Sequence, residues 1–161
     1  MTVIWSYNAM AAVPTPATLE KGLYDALAGR VNFREGKTGT INLICAVPAT
    51  LHNQFVRSLF LTYRDGDGNT GPSVVSAALR FIRKSDGHVE TVGNGNVSSN
   101  DSAAPNSGPS GWATHQSATA GNTIDNAHTM DFDQNYYYVQ ITLERSSYEV
   151  PLGVIGVYLT D

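Results

Sequence analysis

The sequence predicts an all-β fold: an antiparallel two-sheet sandwich, and within that class a jelly roll, with long irregular loops. Three observations lead to this prediction. Apolar and polar residues alternate with a period of two over several segments. Clusters of Gly, Asp, Asn and Ser separate those segments. The chain shows neither strand–helix alternation nor an internal repeat of roughly 20–50 residues, which argues against α/β folds, propellers and solenoids.

The N-terminal region begins with a predicted strand over residues 2–7, followed by a proline-rich connector over residues 11–17. Because proline cannot donate to a β-ladder, the connector is expected at a sheet edge or in a loop. Residues 18–30 have helical apolar spacing, but Gly22 and Gly29 weaken a helix. A short helical turn and an irregular strand both remain open for this segment.

Alternation and turn clusters place the remaining elements. Ser85-Asp86-Gly87 is a hairpin signal between two strands. The last two predicted strands form a long hairpin that closes the fold, for a total of about seven to nine strands. The predicted strands after the connector cover residues 31–33, 41–47, 56–63, 74–84, 88–92, 136–144 and 154–159.

The 161 residues suit a single domain, 1–161, in which residues 93–128 form a long insertion. Gly, Ser, Asn, Ala and Thr dominate this insertion, and only Val97, Trp112 and Ile124 are strongly apolar. An ordered low-complexity segment of this length needs something to hold it, and a neighbouring subunit is one candidate.

Composition excludes several partners. The net charge of −4 argues against a nucleic-acid-binding surface, which usually needs a basic excess. No apolar stretch approaches about 18 residues, so no membrane insertion is expected. The N-terminus has neither the charged region nor the apolar region of a secretory signal, so we expect synthesis in the cytoplasm, with a virion or an extracellular assembly reached after lysis.

No catalytic constellation is found, and the sequence predicts a protein that is not an enzyme. Cys45 lies in an apolar run without a basic partner, which favours a buried strand residue over a nucleophile. Asp131 and Asp133 share one side of an extended segment, but turn formers at strand edges do the same. The motif of an α/β-hydrolase, a dinucleotide-binding loop and a phosphate-binding loop are all missing.

Cofactors and metal ions are not predicted. Residues 65–69 (Asp-Gly-Asp-Gly-Asn) begin like a calcium loop, but Thr70 and Ser76 stand where an EF-hand needs Gly and Glu. A turn between two strands is therefore expected, with a weak calcium site as the alternative. No two histidines have ligand spacing, so each is expected on the surface or in a loop: His52, His88, His115 and His128.

The candidate functional residues are aromatic. Alternation directs Tyr136, Tyr138, Tyr158 and Phe60 away from the apolar side of their strands, and Trp112 lies in the low-complexity segment. Three interpretations are open. The aromatic side chains could line a subunit interface, they could stack on sugar rings, or both sheet faces could be covered within one chain.

Several short segments look like a pattern in uncharacterised single-domain β proteins of bacteria and phages: residues 47–50, 59–65, 124–126, 136–143 and 153–158. The predicted architecture also resembles trimeric jelly rolls of the TNF/C1q type and phage head-decoration proteins. This fold-level resemblance implies a self-assembling structural subunit, a homotrimer by preference, of a capsid, a capsid decoration or another surface assembly. The alternative function is a carbohydrate-binding, lectin-like module that uses Trp112 or the tyrosines to bind a glycan.

Overall fold

The computed structural model describes residues 1–25, 27–117 and 128–161. These residues form thirteen strands and three single turns of 3₁₀ helix, at Ala9–Ala11, Pro16–Thr18 and Ala49–Leu51. None of the helical turns in these ranges is long or apolar enough to cross a membrane. The strands are β1 Val3–Asn8, β2 Val13–Pro14, β3 Gly22–Asp25, β4 Arg30–Phe33, β5 Gly39–Ala46, β6 Phe55–Val56, β7 Ser58–Asp65, β8 Val74–Arg83, β9 Val89–Ser98, β10 Ala113–Gln116, β11 His128–Thr129, β12 Asn135–Arg145 and β13 Leu152–Thr160.

The strands form two main antiparallel sheets that lie face to face. Sheet A has the order β10-β7-β13-β4-β3, and β1 also pairs with β13. Sheet B has the order β2-β5-β12-β8-β9, and β6 and β11 make a separate two-stranded ribbon. The alternating apolar side of each long strand faces the other sheet, so the two sheets enclose one apolar layer.

The connectivity is that of a jelly roll. We number the eight principal strands β4, β5, β7, β8, β9, β10, β12 and β13 from one to eight. Sheet A then reads 1-8-3-6 and sheet B reads 2-7-4-5. The pairs 1–8, 2–7, 3–6 and 4–5 are all antiparallel, as expected for a long ribbon folded over on itself. The predicted all-β, two-sheet fold is confirmed.

The apolar layer between the sheets comes from alternate residues of the strands, which confirms the predicted orientation of each long strand. Full burial of one large aliphatic side chain stabilises a fold by about 1.5–3 kcal/mol. The largest side chains that are almost fully buried are Tyr63, Ile41, Leu43, Leu59, Leu61, Leu79, Met130, Ile141, Leu143, Leu152 and Leu159.

The prediction of a C-terminal hairpin was wrong. β12 lies in sheet B between β5 and β8, whereas β13 lies in sheet A and pairs with β1, β4 and β7. The connection after Arg145 therefore crosses from one sheet to the other at the end of the sandwich. Both strands have an apolar side, and these sides pack towards each other across the core instead of sharing one sheet face.

The low-complexity segment contributes strands that the sequence did not reveal. β9 continues to Ser98, well beyond the predicted end at residue 92, and β10 lies in the same segment. The register of β9 with β8 shifts between Ala78 and Arg80, where Asn94 has a φ of 55° and Gly95 approaches Leu79. Such an irregularity conceals a strand because it breaks the period of two. Residues 118–127, including Ile124, lie outside the described residues.

Of the two interpretations of residues 18–30, the structure supports the strand, because the 3₁₀ turn lies in the preceding connector at Pro16–Thr18 and only Thr18 belongs to both. A 3₁₀ turn ends at Thr18, and β3 then pairs with β4 as an antiparallel hairpin. Thr18 is buried, and its hydroxyl donates to the carbonyl of Asn42 and accepts the Asn42 N–H. The connector contains β2, which lies at the edge of sheet B as predicted.

We expect Gly156→Ala to destabilise the fold by about 1–3 kcal/mol, because the new Cβ would overlap the carbonyl of Tyr7 on the neighbouring strand β1. Gly22→Ala is the matched control, since its Cβ would have only ordinary contacts, the nearest at 3.4 Å from Thr18 O. Urea unfolding measures both variants. Equal stability of the two variants would contradict this description of the β1–β13 pairing.

Candidate functional site

The predicted aromatic residues lie on two opposite surfaces. Phe60 and Tyr158 are on the outer face of sheet A, and Tyr136 and Tyr138 are on the outer face of sheet B. Tyr137, between the two sheet B tyrosines, is only 3 % exposed, whereas Tyr136 is 59 % exposed. The outward orientation is thus confirmed, but the two pairs cannot form one site because the core separates them.

The outer face of sheet A holds an aromatic stack. Phe60 of β7 and Tyr158 of β13 are register partners, with ring centroids 4.6 Å apart and an angle of 6° between the planes. Both side chains are partly exposed, and burial raises the pKa of Tyr158. A stacked pair of this kind is a rigid, mostly apolar platform.

The residues around this stack carry no charge. We call the two register rows across β1, β13, β7 and β10 the uncharged face. Its first row contains Ser6, Tyr158, Phe60 and Gln116. Its second row contains Asn8, Gly156, Thr62 and Thr114. The hydroxyls of Thr62 and Thr114 are hydrogen-bonded to each other at 3.0 Å, which satisfies them without a partner molecule.

Trp112, just before β10, is packed against cations. The Arg64 guanidinium lies 4.5 Å from the ring centroid, and that of Arg30 lies 5.7 Å away. Arg64 also donates from Nε to the carbonyl of Gly111 at 3.3 Å, and its pKa is lowered by burial and by the Arg30 charge. A sugar ring stacked on Trp112 would have to compete with these guanidinium contacts.

The outer face of sheet B carries a hydrogen-bonded polar row that the sequence analysis missed. Arg80 donates to Gln140 Oε1 at 3.1 Å, and Gln140 Nε2 donates to Asn42 Oδ1 at 3.1 Å. Thr142 donates to the same Asn42 oxygen at 3.0 Å. Arg80, Gln140 and Thr142 line a shallow groove of about 220 Å³. Tyr138 lies beside this polar row as the register partner of Arg80.

His52 lies close to Asp131 and Asp133 in the structure, although it is distant from both in sequence. His52 Nδ1 accepts the backbone N–H of Phe132 at 3.1 Å, so the neutral ring carries its proton on Nε2. That Nε2 points towards Asp133 Oδ2 at 3.8 Å. Asp131 Oδ1 accepts the N–H of Asp133, which is typical of a turn. The nitrogen nearest the carboxylate has no lone pair for a metal, which argues against a metal centre here.

Two further side chains that the sequence analysis weighed are buried. Cys45 is fully buried as predicted, and burial raises the pKa of its thiol to about 12, which disfavours the thiolate. His115 was expected on the surface or in a loop, but it lies on β10 and is only 6 % exposed. Its ring forms a hydrogen bond of 3.2 Å with Asp101. The loop after β9 that carries Asp101 therefore contacts β10 at this histidine.

The turn after β7 contains a buried carboxylate pair. Asp65 is 1 % exposed, accepts a hydrogen bond from Ser99 through Oδ2, and is in side-chain contact with Asp67. Burial raises the pKa of Asp65 to about 7; the Ser99 hydroxyl and the backbone N–H of Asp67 oppose this increase, and the Asp67 carboxylate adds to it. The predicted inter-strand turn is present, but the burial of its first carboxylate was not foreseen.

Neither protein-family models nor curated proteins give a match to this chain. Its function must therefore be argued from the surfaces described above.

The metal-free protein should be less stable at pH 8 than at pH 5.5. The pKa of Asp65 is about 7 in the folded state, against about 3.9 in an unfolded chain. Between these two values the folded state holds a proton that the unfolded chain has lost, so stability falls as the pH rises towards 7 and then levels off. Urea midpoints in EDTA at the two pH values measure this difference.

Asp65→Asn removes the titrating group, and its stability should vary less over the same pH range. Asp133→Asn is the control, because it changes an exposed carboxylate in a different cluster. This variant should keep the wild-type pH dependence. The interpretation fails if wild type and Asp65→Asn show the same change between pH 5.5 and 8.

Proposed function

We propose that the protein is a non-enzymatic structural subunit that self-assembles through the outer face of sheet A. The observation that carries the proposal is the uncharged face with the Phe60–Tyr158 stack at its centre. The cores of protein–protein interfaces are depleted of charged residues and enriched in Tyr, Phe and Trp. A rigid stack loses little side-chain entropy when a second subunit covers it.

Charged side chains lie beyond both ends of this face, and Arg57 and Asp161 are at the end next to Ser58 and Thr160. The other charged group surrounds Trp112. Arg30 and Arg64 are grouped around Trp112, and Arg30 is paired with Asp25 at 3.2 Å. An apolar and neutral centre bordered by charged groups is the usual arrangement of a specific interface. The low charged fraction of the whole chain, 15 %, is also typical of a surface that neighbouring subunits cover.

We expect a homo-oligomer, with three copies as the favoured number because the fold resembles trimeric jelly rolls. The same resemblance makes a capsid, a capsid decoration or another surface assembly the expected setting. Neighbouring subunits of that assembly are then the partners of this chain.

Size-exclusion chromatography with light scattering should give a mass of about three times the 17.3 kDa chain, or a larger multiple. Tyr158→Lys should reduce this mass to that of a monomer, because an ammonium group cannot be buried at the centre of an apolar interface without a partner. Phe60→Lys should do the same. Circular dichroism establishes that each variant is folded.

Tyr136→Lys is the matched control, since it makes the same substitution type on the outer face of sheet B, where Tyr136 is 59 % exposed. This variant should remain assembled. A wild-type monomer at about 100 μM would refute the proposal, because a specific interface of standard size is stable at that concentration. Dissociation by Tyr136→Lys and not by Tyr158→Lys would move the interface to sheet B.

Carbohydrate binding is a second candidate function, and the polar row on sheet B favours it. Amide and hydroxyl groups that are already fixed by mutual hydrogen bonds can meet sugar hydroxyls at little entropic cost. Tyr138 supplies an aromatic ring beside the row. If this function holds, Gln140→Ala should weaken glycan binding at least about tenfold, since it removes both the Arg80 and the Asn42 contacts.

A glycan array followed by titration of any ligand found measures this effect. Thr114→Ala, which removes a hydroxyl from the outer face of sheet A, is the control that should keep wild-type affinity. An array without signal at high protein concentration would rule out this second function.

A further inference from the structure

Asp65, the last residue of β7, and Asp67, in the turn that follows, each have one carboxylate oxygen that accepts no hydrogen bond. Asp65 Oδ1 and Asp67 Oδ1 are both buried, and neither has a hydrogen-bond partner. The other oxygen of each group is satisfied: Asp65 Oδ2 by the Ser99 hydroxyl, and Asp67 Oδ2 by the N–H of Ser73 at 3.1 Å. Asp65 itself is 99 % buried, so water does not solvate its free oxygen. The two carboxyl groups interact with each other, and each has one buried oxygen without a hydrogen-bond partner.

Among the residues that the structure describes, no positive side chain is paired with these two carboxylates. Asp101 is a further negative charge in this region, since burial together with the charges of Asp65 and Asp101 raises the pKa of Tyr63 to about 12. Buried carboxylates without a counter-charge are costly, and folded proteins resolve them by a proton or a bound cation.

We propose that Asp65 and Asp67 bind a hard divalent cation, Ca²⁺ in the first place, through their two Oδ1 atoms. Ca²⁺ prefers carboxylate oxygens, and it takes backbone carbonyl oxygens as further ligands in a flexible geometry. Mg²⁺ requires a stricter octahedral geometry, so we expect it to bind more weakly than Ca²⁺ to two carboxylates whose positions are fixed by a turn. The proposal is independent of assembly, because neither aspartate belongs to the uncharged face.

The site differs from an EF-hand loop. Asn69, at the position of the third loop ligand, donates from Nδ2 to the Ala104 carbonyl at 3.3 Å and from its backbone N–H to Asn106. Its side chain is thereby directed to the 104–106 segment. Gly71 lies directly against the Asp67 carboxylate, where any Cβ would overlap it. Two carboxylates are thus available at this turn. Because Asp67 also accepts the N–H of Ser73, just before β8, a bound cation would link the end of β7 to the start of β8.

The first experiment uses the full-length, EDTA-treated protein at pH 8 and measures thermal unfolding with added CaCl₂. Two carboxylates give an affinity in the range of roughly 10⁻⁴–10⁻³ M. At about ten times such a Kd, the midpoint should rise by about 3–5 °C. MgCl₂ should produce a smaller rise. Asp65→Asn and Asp67→Asn should abolish the response to calcium, and Asp133→Asn should retain it.

A second measurement does not depend on the folding of any variant. Terbium bound to wild-type protein should show luminescence sensitised by a neighbouring tyrosine, Tyr63, and calcium should displace it. The proposal is overturned if wild-type protein shows neither a calcium-induced shift nor terbium luminescence, in which case a shared proton alone neutralises the pair. It is equally overturned if Asp65→Asn keeps the full calcium response.

Discussion

The apolar layer between sheets A and B is the constraint on which the rest of the structure depends. Every second side chain of each long strand lies in this layer. Within sheet A, β13 pairs with β7 on one side and with β1 and β4 on the other. Because the inner faces are fully occupied, any functional surface has to lie on an outer sheet face or at a loop end. The uncharged face and the Asp65–Asp67 pair are located at these two kinds of place.

Strand orientation could be predicted from sequence because the period of two is a local property. It placed Tyr137 and Cys45 in the core and Tyr136 and Tyr138 outside, as the structure has them. The same pattern does not say which sheet a strand joins, so β12 and β13 were assigned to one hairpin. It also fails at Asn94, where a left-handed residue interrupts β9.

The candidate sites depend on contacts that are distant in sequence, and alternation alone could not reveal them. The orientation of Phe60 and Tyr158 was predictable, but their stack requires the β7–β13 register. The burial of Asp65 is caused by the segment after β9. Ser107 donates from its hydroxyl to the Asp65 carbonyl and accepts the Asp65 N–H, and Pro105 accepts the Tyr63 hydroxyl. Composition gives no indication that a Gly- and Ser-rich loop covers a carboxylate in this way.

The two proposed sites are on one strand but are physically separate. Phe60 is near the start of β7 and Asp65 is its last residue. Five residues of extended chain span roughly 16 Å, beyond the screening length of about 8 Å at physiological salt. A cation at the loop end would therefore act on the free energy of unfolding of each subunit, while the stack would act on association. An assembly that responded to calcium would do so through the folded fraction of its subunits and not through the interface itself.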